Sequence, residues 1–189
     1  FKHFLAFYNE HLRQENLSRY LSLFSDYFRI RPELNQMLLF ARIDDSDTHD
    51  KIVGSKNFEI VKLFYGQAYE TLTSHFVMFA CVNNIMCGRK FDQFQTMNLN
   101  KYIKDLEKAK KANPFKDNEI FFVYAKHLDS SLRNGSHHAS FWRDGEIIKY
   151  RSGGTGAQQE MPYSHYLYLC NELIIANAAL FVLEMSLLG

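Results

Sequence analysis

From Phe58 onward apolar residues return every three or four positions, at Val61, Tyr65, Ala68, Leu72, Phe76 and Phe79, and the pattern runs toward Met86 before stopping at Gly88. That is the period of an α-helix with one buried face, so a long core helix is expected here. A helix with such a stripe must bury it against other elements. The chain supplies them: Phe4, Phe7, Tyr8 and Leu12, then Leu17, Tyr20, Leu21, Phe24 and Phe28, predict two N-terminal helices with the same period. Pro32 opens a further short helix through Phe40, and Pro162 starts a final one that becomes apolar almost all round from Leu173 to Leu188. A helix apolar on every side is central or is shared with another subunit. His75, beside the stripe, reads as a hydrogen-bonded core or boundary histidine.

With 189 residues, 47% of them hydrophobic and 15% aromatic, the chain can bury one substantial core. A single domain over 1–189 is expected, with 1–54 forming N-terminal helices and 55–189 the core. The 22 Lys and Arg nearly cancel 21 Asp and Glu, which excludes any general attraction to phosphate. Contact with nucleic acid would need a local basic surface. Cys81, Cys87 and Cys170 have no CxxC spacing and sit in apolar helical patterns, so they read as buried free thiols in a reducing, cytoplasmic setting. The run Leu173 to Leu188 is shorter than a bilayer span and carries Asn177 and Glu184, and Phe1 to Phe7 lacks a signal-peptide layout. Neither membrane nor secretion is expected. The chain begins without Met, as a processed or trimmed segment would.

The middle of the chain is more polar. Asp44, Asp45, Asp47, His49 and Asp50 form an acidic loop without the glycine and glutamate positions of an EF-hand, read as a solvated connector with Ser55 or Asn57 capping the next helix. A helix from about Leu99 to Ala112 carries Lys101, Lys104, Lys108, Lys110 and Lys111, a solvated face with phosphate contact as the alternative. Pro114 ends it. Asp117 or Asn118 then caps a helix whose buried side is Phe121, Tyr124, Leu128 and Leu132, leaving Lys126, Asp129, Ser130 and Arg133 on the solvent flank. Phe141 to Ile148 reads as a hairpin around Asp144-Gly145. Arg151 to Gln159, with Ser152-Gly153-Gly154-Thr155-Gly156, lacks the lysine and spacing of a P-loop and reads as a flexible connection.

Arg133-Asn134-Gly135-Ser136-His137-His138 carries the chemistry. A guanidinium keeps its charge and grips phosphate oxygens in a fork, while an imidazole takes a proton near pH 7 and returns it. Gly135 is expected to let the backbone turn there. The competing reading of Arg133 is a helix-end arginine neutralising the last carbonyls. His137, His138 and His165 offer a metal reading, but no spacing or partner pattern supports it, and no metal or cofactor is expected.

Arg133 and the polar Asn134, with four residues between Arg133 and His138, followed by a hairpin and a closing apolar helix, resemble the motif and frame of the HEPN superfamily. The resemblance covers the second half of the chain; the N-terminal helices agree only in class. It implies an all-α helical bundle with a short β-hairpin before the C-terminal helix, and a homodimer with a composite active site. Many members are metal-independent endoribonucleases in toxin–antitoxin, phage-defence or RNA-processing systems, which makes RNA and an antitoxin protein the implied partners. Others are inactive modules that bind nucleotide, RNA or protein. In RNA the 2′-hydroxyl attacks its own phosphate once a base removes its proton, a role for neutral His138, while Arg133 stabilises the added negative charge and Asn134 orients phosphate or imidazole. His137 is one residue too close for the spacing; with Ser136 and Lys126 it is auxiliary. Tyr163 and Tyr166 read as packing, with base stacking as the alternative.

Overall fold

The computed structural model describes residues 1–49, 51–136, 140–151 and 156–188. Helices α1 (Lys2–His11), α2 (Arg13–Arg42) and α3 (Phe58–Met86) are followed by the short α4 (Leu99–Lys104), α5 (Glu119–Phe122) and α6 (Ser130–Ser136). Strands β1 (Phe141–Asp144), β2 (Ile147–Arg151) and β3 (Gln158–Pro162) form one antiparallel sheet in the order β1-β2-β3, and α7 (Tyr163–Leu188) closes the chain. The three long helices α2, α3 and α7 pack against one another around a core rich in tyrosine and phenylalanine. The protein is mainly helical, as expected.

Helix α3 spans the stripe that predicts it, and Asn57 caps it, its Oδ1 accepting from Ile60 N at 3.3 Å. By length and apolarity alone Tyr163–Leu187 would cross a membrane, yet 56% of its most apolar window is buried inside the fold. Its two asparagines beyond Cys170 are buried with it. Asn171 Nδ2 donates to Leu34 O at 2.8 Å and Asn177 Nδ2 to Ala68 O at 3.1 Å, tying α7 to α2 and α3.

Several boundaries differ from expectation, each for a local reason. Residues 13–42 form one helix that runs through Pro32. The carbonyl deprived of a partner belongs to Phe28, which is exposed, so water can serve it. The lysine-rich segment is not one helix: α4 ends at Lys104 and a single 3₁₀ turn, Lys108–Lys110, follows. The buried Lys111 Nζ donates to the carbonyls of Tyr102 and Ile103, satisfying the end of α4, so this lysine is no part of a solvated face. Cys81 and Cys170 are buried, whereas Cys87 is exposed.

The expected hairpin has a third strand. Gln158–Pro162 pairs along β2, Ile148 facing Met161 and Tyr150 facing Gln159, so part of the segment read as a flexible connection is sheet and α7 starts one residue later, at Tyr163. The two-residue loop between β1 and β2 places Gly145 at φ 61, the positive value such a loop demands.

Gly135 does not turn the chain. It lies inside α6, buried, where a Cβ would sit 3.2 Å from Phe141 Cδ2, so its missing side chain lets β1 approach the helix. Gly135→Val is expected to lower stability by about 2 kcal/mol through overpacking against Phe141, with Gly135→Ala costing less. Denaturant unfolding of both variants checks this; a valine variant as stable as wild type would refute the close packing.

Candidate active site

The expected helix from Asn118 to Leu132 is interrupted, so Arg133 stands on a helix of its own. Helix α5 decays into a 3₁₀ turn at Val123–Ala125, and α6 starts afresh at Ser130. Asp129 is the reason. Its Oδ1 accepts from Ser131 N at 2.7 Å and Leu132 N at 3.2 Å, capping α6, while its own N–H donates to Tyr65 Oη on α3 at 3.2 Å. With Leu132 buried, this docking turns Arg133 toward α3 rather than to open solvent.

There Arg133 meets Glu70. Arg133 Nε donates to Glu70 Oε1 at 2.6 Å, Nη2 contacts the same oxygen, and Nη1 donates to Asn134 Oδ1 at 2.8 Å. The guanidinium is thus fixed along one edge by a carboxylate and braced by the adjacent amide. Its Nη1 and Nη2 ends keep N–H groups with no partner among the described residues, and the side chain is one-third exposed. This set can receive an anion from the solvent side.

A basic strip continues from Glu70. Lys108 Nζ lies 3.5 Å from Glu70 Oε2 and donates to Ser74 Oγ at 2.6 Å, and Arg19 Nη1 donates to the same hydroxyl at 2.5 Å. Arg19 also pairs with Glu15 at 2.5 Å. Three cations face two carboxylates, the local positive surface that the neutral composition left open. Burial depresses the Lys108 ammonium, and Glu70 acts in the opposite direction.

The other candidate residues are distributed as follows. Asn134 is at the corner. Ser136 is buried and its Oγ donates to Arg133 O at 2.7 Å, a bond internal to α6. Lys126 is elsewhere: its Nζ pairs with Asp44 at 2.7 Å, beside His127 and Glu172. In that cluster burial lowers the His127 imidazole, while burial and then the charge of Asp44 push Glu172 up to about 7. His137 and His138 lie outside the described residues. Tyr163 and Tyr166 are fully buried and pack in the core, so neither offers a face to a base.

Glu70, Ser74 and Arg19 were not singled out in the sequence, whereas Lys108 was one of the lysines for which phosphate contact stood as the alternative. Glu70 and Ser74 are four residues apart on the polar flank of α3, which is visible as a pair on one helix face. The meeting of Glu70 with Arg133, 63 residues further along, is tertiary. Comparison of the chain with family models, with curated proteins and with solved structures finds no match.

Proposed function

We propose that the chain is a HEPN-like, metal-independent endoribonuclease that cleaves RNA by 2′-hydroxyl attack, leaving a 2′,3′-cyclic phosphate and a 5′-hydroxyl. The observation that supports this is the oriented guanidinium of Arg133, fixed by Glu70 and Asn134 at the end of α6 immediately ahead of His137 and His138. In this reading His138 removes the 2′-proton and Arg133 neutralises charge building on the phosphate. The working form is a homodimer in which two such corners share one cleft, in a cytoplasmic toxin or phage-defence setting where an antitoxin restrains it.

Purified protein in EDTA is expected to cut RNA and leave DNA of the same sequence intact, because DNA lacks the nucleophile. Arg133→Ala and His138→Ala should each lower the cleavage rate by about 10²-fold or more while circular dichroism is unchanged. Cleavage by His138→Ala at the wild-type rate would remove His138 as base.

The ion pair itself favours a second reading. Glu70 occupies one edge of Arg133, as it would in a catalytically silent module that binds nucleotide, RNA or protein and contributes chiefly through dimerisation. RNA binding without cleavage from pH 5 to 9 would establish that reading over the first.

A further inference from the structure

Asp44, His127 and Glu172 come from three separated stretches of chain: the residue range just after α2, the linker between α5 and α6, and the middle of α7. His127 Nε2 lies 3.3 Å from Glu172 Oε2 and 3.9 Å from Asp44 Oδ1, and one ligand atom from each residue falls within 4.8 Å of the other two. Bonds of about 2.1 Å to a shared ion separate neighbouring ligand atoms by about 3 to 3.5 Å. Small side-chain rotations would bring the three onto one centre.

A second observation asks for a cation there. The Glu172 side chain is only 12% exposed, and its Oε1 is buried with no hydrogen-bond partner among the described residues. A buried carboxylate oxygen left so is costly, and a bound cation is one way to remove that cost. The nearby ammonium of Lys126 does not: it is spread over both oxygens of Asp44, at 2.9 and 2.7 Å. Tyr168 Oη also donates to Asp44 Oδ1, at 3.2 Å, holding that carboxylate toward α7.

Asp44 itself is fixed by its backbone. At φ 52 it is the one residue other than glycine with positive φ among those described. Its N–H donates to Ala41 O at 3.3 Å and the next N–H to Phe40 O at 2.9 Å, the closing pattern of a helix end. The carboxylate therefore leaves the end of α2 in a set direction.

We propose that Asp44, His127 and Glu172 bind a divalent first-row transition ion, with zinc the best fit, that pins the end of α2 and the linker leading into α6 onto α7. One imidazole nitrogen and two carboxylates, without thiolate, suit zinc or manganese, and the imidazole disfavours magnesium and calcium. Water completes the coordination. Lys126, half exposed on a flexible stem, leaves Asp44 as the ion enters. The site is independent of the proposed ribonuclease chemistry, since it holds structure and supplies no group to the phosphate.

Untagged protein stripped with EDTA and titrated with zinc chloride is expected to take up one ion per chain and, at a hundredfold excess over Kd, to melt about 5 to 10 °C higher. Equal magnesium or calcium should leave the melting temperature unchanged. His127→Ala and Glu172→Gln should each weaken zinc binding at least tenfold, and Lys126→Gln, which removes the competing ammonium from an exposed position, should strengthen it several-fold. The absence of saturable zinc binding overturns the proposal. So does binding that survives both His127→Ala and Glu172→Gln, as ions held at other histidines would, or an affinity that Lys126→Gln leaves unchanged or weakens. RNA cleavage in EDTA below the melting temperature of the stripped protein is scored separately, so either idea can fail without the other.

Discussion

Glu184→Leu is expected to destabilise the fold by about 3 to 5 kcal/mol, a large share of what holds a domain of this size together. The residue sits near the end of α7 with no exposed surface, at the centre of a polar cluster inside an otherwise apolar core. Tyr8 Oη donates to Glu184 Oε2 at 2.5 Å and Tyr20 Oη to Oε1 at 3.2 Å. His75 Nδ1 lies 3.0 Å from Oε1, and Asn16 Nδ2 donates to Tyr8 Oη at 3.0 Å. Burial, reinforced by the negative charge of Glu184, drives the titration of both tyrosines far upward, so each hydroxyl stays protonated and needs an acceptor. Leucine fills the volume but strands those donors, and each buried donor without a partner costs about 1 to 3 kcal/mol. Glu184→Gln retains one acceptor oxygen and should cost about half as much. Denaturant titration measures both, and a leucine variant within 1 kcal/mol of wild type would show that the cluster contributes little. A double-mutant cycle with His75→Phe should give clear coupling, because His75 Nδ1 meets Glu184 directly at Oε1.

This cluster marks the limit of what the chain discloses on its own. The apolar stripe of α3, the asparagine cap ahead of it and the core position of His75 are local, so they are legible in the residues themselves. That α1, α2, α3 and α7 converge on one carboxylate is not, because Tyr8 and Glu184 are 176 positions apart. The misread elements show the same division. Lysines spaced along Leu99–Ala112 resemble a solvated helix, until Lys111 folds back onto carbonyls of α4. The third strand, Gln-Gln-Glu-Met-Pro, has no apolar alternation and exists through its pairing with β2. Arg133 reads as a solvent-facing cation because the capping power of Asp129 competes with helix continuation, and only tertiary docking to Tyr65 decides between them.

If the proposed ribonuclease function holds, Glu70→Ala should change RNA cleavage in a way that separates a positioning role from a merely structural one. Glu70 Oε1 holds one edge of the Arg133 guanidinium, and Oε2 lies 3.5 Å from Lys108 Nζ. Removing the carboxylate frees the guanidinium to swing, and a reacting geometry lost by about 1 Å lowers kcat on the order of 10²-fold. The same substitution leaves three cations facing only Glu15, so the strip attracts phosphate more strongly and KM should fall. Because Glu70 is partly exposed, the stability loss should stay within about 1 kcal/mol. Glu70→Gln keeps an acceptor oxygen for Arg133 and should recover part of kcat, while the KM decrease persists with the lost charge. Raised salt should erase the KM difference between variant and wild type and leave the kcat difference standing. A variant in which kcat and KM are both unchanged would mean that Arg133 needs no support from α3. A loss of activity that tracks the folded fraction would mean that the pair serves only to dock α6.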